Sequence, residues 1–145
     1  MISVDLLLLT GMGLWVSIID ARSFRIPDQA IGLGFVLICV LAITGGLEAP
    51  DALIGMILAL VQMGAARWIS HGCLGLGDVK YALFLGSLLG PIAWLITSFI
   101  TALFALIMSI PSLIELRRSR KERIPLAPYM TCAALATRIL MGMTS

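Results

Sequence analysis

The stretch VKYALFLGSLLGPIAWLITSFITALFALIMSIPSLI, residues 79–114, decides the class of fold. Its one charge, Lys80, stands at its start. A helix crosses a bilayer with about 20 apolar residues. This run is too long for one crossing. Gly90-Pro91 lies inside it, and proline both removes an intrahelical hydrogen bond and clashes with the preceding turn. The sequence therefore predicts a short span over about 78–89 and a longer one over about 92–114.

Working outward, the rest of the chain reads the same way. Its 145 residues are 60% hydrophobic and 12% charged, and mean hydropathy is +1.07. A soluble domain carries about 25% charged residues, so an integral membrane protein is the class implied. Further spans are predicted over about 2–19, 29–44, 52–69 and 126–143. The fold class is all-α: one polytopic membrane domain over 1–145, with about six transmembrane helices. GGLEAPD (45–51) is a turn by its Gly, Pro and acid content, SHGCLGLG (70–77) a glycine-rich connector and ELRRSRKER (115–123) a polar loop. The N-terminus is apolar from residue 2 and lacks a basic segment and cleavage site, so it reads as a retained span. Cys39, Cys73 and Cys132 form no CxxC pair, which leaves no zinc or redox motif, and they read as packing residues. A net charge of +2 gives a nucleic-acid role nothing to rest on.

Basic residues are retained on the cytoplasmic side of a membrane. With six alternating spans, the loops after spans one, three and five and their flanks hold Arg22, Arg25, Arg67, Lys80, Arg117, Arg118, Arg120, Lys121 and Arg123. Arg138 alone falls on the other side. Both termini are thus expected outside the cytoplasm. Asp20, closing span one, and Asp78, opening span four, are expected together at the cytoplasmic face.

Taken singly, each acid has an ordinary explanation. Asp20 reads as a boundary residue paired with Arg22 or Arg25, and Asp78 as a helix N-cap. Taken together, they read as a catalytic pair. Two neighbouring carboxyls do not both ionise easily, so one holds a proton while the other activates water. Gly75 and Gly77 would give such a pair its room. They can adopt backbone angles closed to other residues and let a peptide approach closely. The bland alternative is a flexible connector. His71, the one histidine, reads as a solvated loop residue, and Lys80 as an interfacial lysine with its stem in the apolar layer.

These two stretches carry a resemblance. GLGDVK (75–80) resembles the GxGDxK motif of the prepilin peptidases, or type IV leader peptidases, which are membrane-embedded aspartic proteases of bacteria. DARSFRIPD (20–28) resembles their first-aspartate motif, ending in Ile-Pro-Asp, and IPLAPYM (124–130) looks like the proline-containing segment that opens their last helix. The resemblance implies that Asp20 and Asp78 are catalytic, while Gly75, Gly77, Lys80, Pro27 and Asp28 bind substrate or shape the site. It implies an endopeptidase of the bacterial inner membrane that needs no cofactor or metal. The expected partners are the bilayer and a prepilin or pseudopilin, cut after a glycine that ends its basic leader. Many members carry an N-terminal domain with two CxxC pairs for methylating the product. None is present in this sequence, so a short form with peptidase activity alone is expected. The rival reading is a small transporter or assembly subunit using Asp20 and Asp78 as an ion relay.

Overall fold

The computed structural model describes residues 4–23, 26, 28–71, 74–114 and 126–143. Pro27, Cys73, Ile124, Pro125 and the basic loop 115–123 lie outside the described residues. The described chain forms α1 (Val4–Ser23), α2 (Asp28–Ile43), α3 (Ala49–Ile69), α4 (Leu76–Ile114) and α5 (Ala127–Met143). The six expected helices are therefore five. The two expected over 78–89 and 92–114 form the one element α4, with Gly90 non-helical inside it at φ 75°, ψ 178°. Windows within three helices are long and apolar enough to cross a membrane: Leu6–Ser23, Ala49–Ile69 and Leu76–Ile107.

Local chemistry sets the ends. α2 stops at Gly45, whose φ of 72° only glycine adopts freely. The Gly46 N–H bonds the Leu41 carbonyl at 2.9 Å and the Gly45 N–H that of Ala42 at 3.4 Å, closing a Schellman turn. α3 opens with Pro50 in its first turn, where the missing N–H has no intrahelical partner to lose.

Gly90 does more than kink α4. Gly55 of α3 lies against Gly86 and Gly90 together. Gln62 is seven residues further along α3, about 10 Å by helical rise, yet its side chain meets residues beyond Gly90. Its Nε2 donates to Ser98 Oγ at 3.1 Å, and its Oε1 accepts from Trp94 Nε1 at 3.0 Å. A straight α4 would carry Ser98 about 12 Å the other way. After Gly90 the chain therefore runs back beside its own first half and alongside α3. At the crossing of α3 and α4, a Cβ added to Gly86 would stand 2.8 Å from the Ala59 Cβ and 2.5 Å from the Gly55 carbonyl oxygen.

The core joins all five helices through Leu9, Val16, Ala30, Ala59, Tyr81, Phe84, Leu85, Trp94 and Met130. Hydroxyls are buried with them, Thr97 bonding Thr137 at 3.1 Å, while Val36, Val61, Phe99 and Leu106 face outward. Polar contacts inside and an apolar exterior suit a helix bundle in lipid, where only the interior offers hydrogen-bond partners. Cys39 and Cys132, expected as packing residues, are exposed on this exterior.

Candidate active site

Asp20 lies in the last turn of α1 and is 5% exposed. No ion pair with Arg22 holds it among the described residues, and Arg25 lies outside them. Instead its Oδ2 accepts the Ala127 backbone N–H at 3.2 Å, at the first residue of α5. The first N–H groups of a helix have no intrahelical acceptor, so Asp20 supplies one for α5 from 107 residues away.

Asp78 lies in the first turn of α4, which begins at Leu76 rather than at Asp78 itself. It is not the N-cap. Its carboxylate reaches back to a hydrogen bond with the Gly75 backbone, as the third residue of a capping box does. Each acid is thus held at a helix N-terminus, Asp20 at that of α5 and Asp78 at that of α4, where the helix dipole favours negative charge. The charge of Asp20 acts on Asp78. Two acids 58 positions apart in sequence are thus near enough for one to act on the other.

The glycines serve space rather than unusual backbone angles. Among the described residues the glycines with positive φ are Gly45 and Gly90, not Gly75 or Gly77. A Cβ at Gly75 would stand 2.8 Å from Asp78 Oδ2. One at Gly77 would stand 3.1 Å from the Ile26 Cβ and 3.5 Å from the Ile26 backbone nitrogen. Gly77 therefore lets Ile26 lie directly on the first turn of α4. Lys80 spans the same junction through an ion pair with Asp28, the first residue of α2. Both partners are substantially exposed, so this pair adds about 0–1 kcal/mol. Asp28 ties the two motif segments together through this pair. Pro27 lies outside the described residues.

The Ile26–Gly77 contact has a direct test. Ile26→Cys with Gly77→Cys places two Cβ atoms 3.1 Å apart, below the roughly 3.5–4.5 Å of a disulfide, and a parting of about half an ångström reaches that range, so mild oxidation of membranes is expected to crosslink them. A pair that stays reduced while the protein remains inserted would show that the two segments do not meet.

His71 is exposed, at φ 50° just after the end of α3. With Gly64, Arg67 and Trp68 it lines an open cavity of about 450 Å³ that includes neither aspartate. Arg67 donates to the Leu74 carbonyl and so pins the connector that leads into Gly75.

Four residues of the neighbourhood escaped the reading of the sequence: Ser17, Tyr81, Ala127 and Thr131. Tyr81 Oη lies 2.7 Å and Ser17 Oγ 2.9 Å from Thr131 Oγ1. Helical spacing was the available signal, since Ser17 is three before Asp20, Tyr81 three after Asp78 and Thr131 four after Ala127. Nothing in the sequence, however, couples α1 to α5.

No curated protein and no solved structure matches this chain. Residues 7–110 match the type IV leader peptidase family. The match takes in α1 to the far part of α4, with both aspartates, Gly75, Gly77, Asp28 and Lys80, and stops short of α5. A match over most of its length, on a helical membrane chain whose two motifs meet in space, places this protein in the type IV leader peptidase family, a family of proteases.

Proposed function

We propose that this protein is a membrane aspartic endopeptidase that removes the basic leader of type IV prepilins or pseudopilins, cutting after a glycine on the cytoplasmic side. The observation that carries the reading is that Asp20 on α1 and Asp78 on α4, one buried and both anchored by backbone at a helix start, lie near enough for the charge of one to act on the other.

A water between the two carboxyls attacks the scissile carbonyl carbon. Its proton passes to the ionised carboxylate. The protonated partner gives its proton to the carbonyl oxygen, and collapse of the tetrahedral intermediate returns a proton to the leaving amine. No covalent enzyme intermediate forms. Asp20 keeps Oδ1 for this work while Oδ2 holds α5. The chain crosses the membrane six times in this reading, with the reversal at Gly90 making α4 two passes. The first pass, Leu76 to Leu89, is about 21 Å long, shorter than the ~30 Å hydrocarbon layer. The bilayer is thereby thin at Asp78, and water reaches it. The bias of basic residues puts this end at the bacterial cytoplasm.

The test is to add a type IV prepilin with a basic leader ending in glycine to membranes holding the protein, and to sequence the N-terminus of the product. A new N-terminus directly after the glycine is expected. An intact prepilin, or a cut within its apolar stem, overturns the assignment.

A further inference from the structure

Thr131 stands where α1, α4 and α5 meet, and its hydroxyl has four polar neighbours. These are the Ala127 carbonyl at 2.9 Å, the Gly13 carbonyl at 3.4 Å, Ser17 Oγ at 2.9 Å and Tyr81 Oη at 2.7 Å. A hydroxyl has one hydrogen to give and two lone pairs to receive. The two carbonyls only accept, so the Thr131 hydrogen goes to that side, to Ala127 as the nearer. Both lone pairs are then left for Ser17 and Tyr81, which must each donate. Every capacity of the group is used. Thr131 and Tyr81 are 3% and 1% exposed, so water does not compete. On its other side the Thr131 methyl packs on Gly13, where α1 and α5 touch.

The three helices joined here are those that carry the candidate site. Ser17 is one turn before Asp20 on α1. Tyr81 is one turn after Asp78 on α4. Thr131 is one turn after Ala127, whose N–H holds Asp20. Rotation of α1 or α4 about its axis would break a bond at Thr131 and swing a carboxyl out of the site, and rotation of α5 would move the Ala127 N–H that holds Asp20.

We propose that Thr131 is a positioning residue, the acceptor hub that fixes the rotation of α1 and α4 against α5 so that the Asp20 and Asp78 carboxyls converge. Tyr81 and Ser17 are its donors. The Tyr81 hydroxyl is committed to Thr131 and takes no part in proton transfer to substrate.

The test uses the full chain in membranes, with the native cysteines replaced by alanine, and has two arms. In the first, the rate of the Ile26→Cys/Gly77→Cys crosslink reports how Ile26, three residues beyond α1, is set against the first turn of α4, whatever the protein cuts. Thr131→Val keeps the shape and removes the hydroxyl, and is expected to slow crosslinking about fivefold. Thr131→Ser, which keeps the hydroxyl and removes the methyl, restores the wild-type rate. In the second arm, which rests on the leader-peptidase reading, Thr131→Val lowers kcat on a prepilin about tenfold with KM unchanged. Tyr81→Phe gives a smaller fall and adds nothing in the Thr131→Val background. If Thr131→Val fails to insert, Tyr81→Phe serves in both arms. Wild-type behaviour of Thr131→Val and Tyr81→Phe overturns the proposal. So does equal damage from Thr131→Ser, which would make the methyl contact with Gly13 the cause. If the wild type cuts no prepilin, the functional reading fails, and the crosslinking arm alone decides the role of Thr131.

Discussion

Asp20→Asn and Asp78→Asn are each expected to lower leader cleavage by about a thousandfold or more, the scale of loss when a group that exchanges protons in the reaction is removed. The substitutions are isosteric. The amide oxygen of an asparagine at 20 still accepts the Ala127 N–H, and at 78 it still faces the Gly75 backbone. The anchors survive, so both variants should insert and melt much like the wild type. The measurement is the rate of prepilin cleavage in membranes, beside the thermal midpoint of the purified protein in detergent. Asp28→Asn is the contrast. It weakens an exposed ion pair with Lys80, worth about 0–1 kcal/mol, and should slow cleavage less than tenfold. If either Asp20→Asn or Asp78→Asn cuts within tenfold of the wild type, the two acids do not share the chemistry, and the ion-relay reading gains.

Gly86→Leu is expected to carry the largest loss of stability. Gly86 and Gly55 bring the backbones of α3 and α4 together, and a Cβ at Gly86 meets a carbonyl oxygen and the Ala59 methyl well inside normal contact. Neither obstacle is a flexible side-chain end that can move aside. The helices must separate, which opens the packing around Ala59, Phe84 and Leu85. Overpacking of a core costs about 1–3 kcal/mol and more where backbone must shift. A fall of about 3 kcal/mol or more is expected, read as a lower thermal midpoint and faster proteolysis. Gly11→Leu is the control. Gly11 is also a mid-helix glycine among apolar residues, but nothing lies within 4 Å of its added Cβ. If the two substitutions cost the same, the close crossing of α3 and α4 is wrong.

Those two glycines mark the limit of sequence reading. Gly11 and Gly86 have the same kind of neighbours in sequence, and only the partner helix separates them. The same holds for the acids. Asp20 and Asp28 lie eight residues apart in one motif, and only the structure separates their surroundings: Asp20 is buried at the N-terminus of α5, while Asp28 is exposed and paired with Lys80. Gly75 and Gly77 were legible as room for a site, although their role is contact with Asp78 and Ile26 rather than rare backbone angles. Six separate helices were expected and five are seen, because Gly90-Pro91 turns the chain within α4 and leaves no connector to read as a loop.

What the sequence by itself determined was whatever depends on near neighbours along the chain: apolar helices from apolar runs, the ends of α2 and α3 from their glycine and proline turns, and the two acidic motifs. The balance of basic residues belongs with these, since it is a count. What only the tertiary structure decided was everything that depends on which helix faces which. Asp20 finds Ala127 across 107 residues, Ser17 finds Thr131 across 114 and Lys80 finds Asp28 across 52. The physical reason is that an apolar span is nearly uniform around its circumference, so hydrophobicity fixes its place in the membrane but not its rotation. Rotation is set by a few hydroxyls, glycines and backbone groups that have partners on one side only, and those partners lie on other helices.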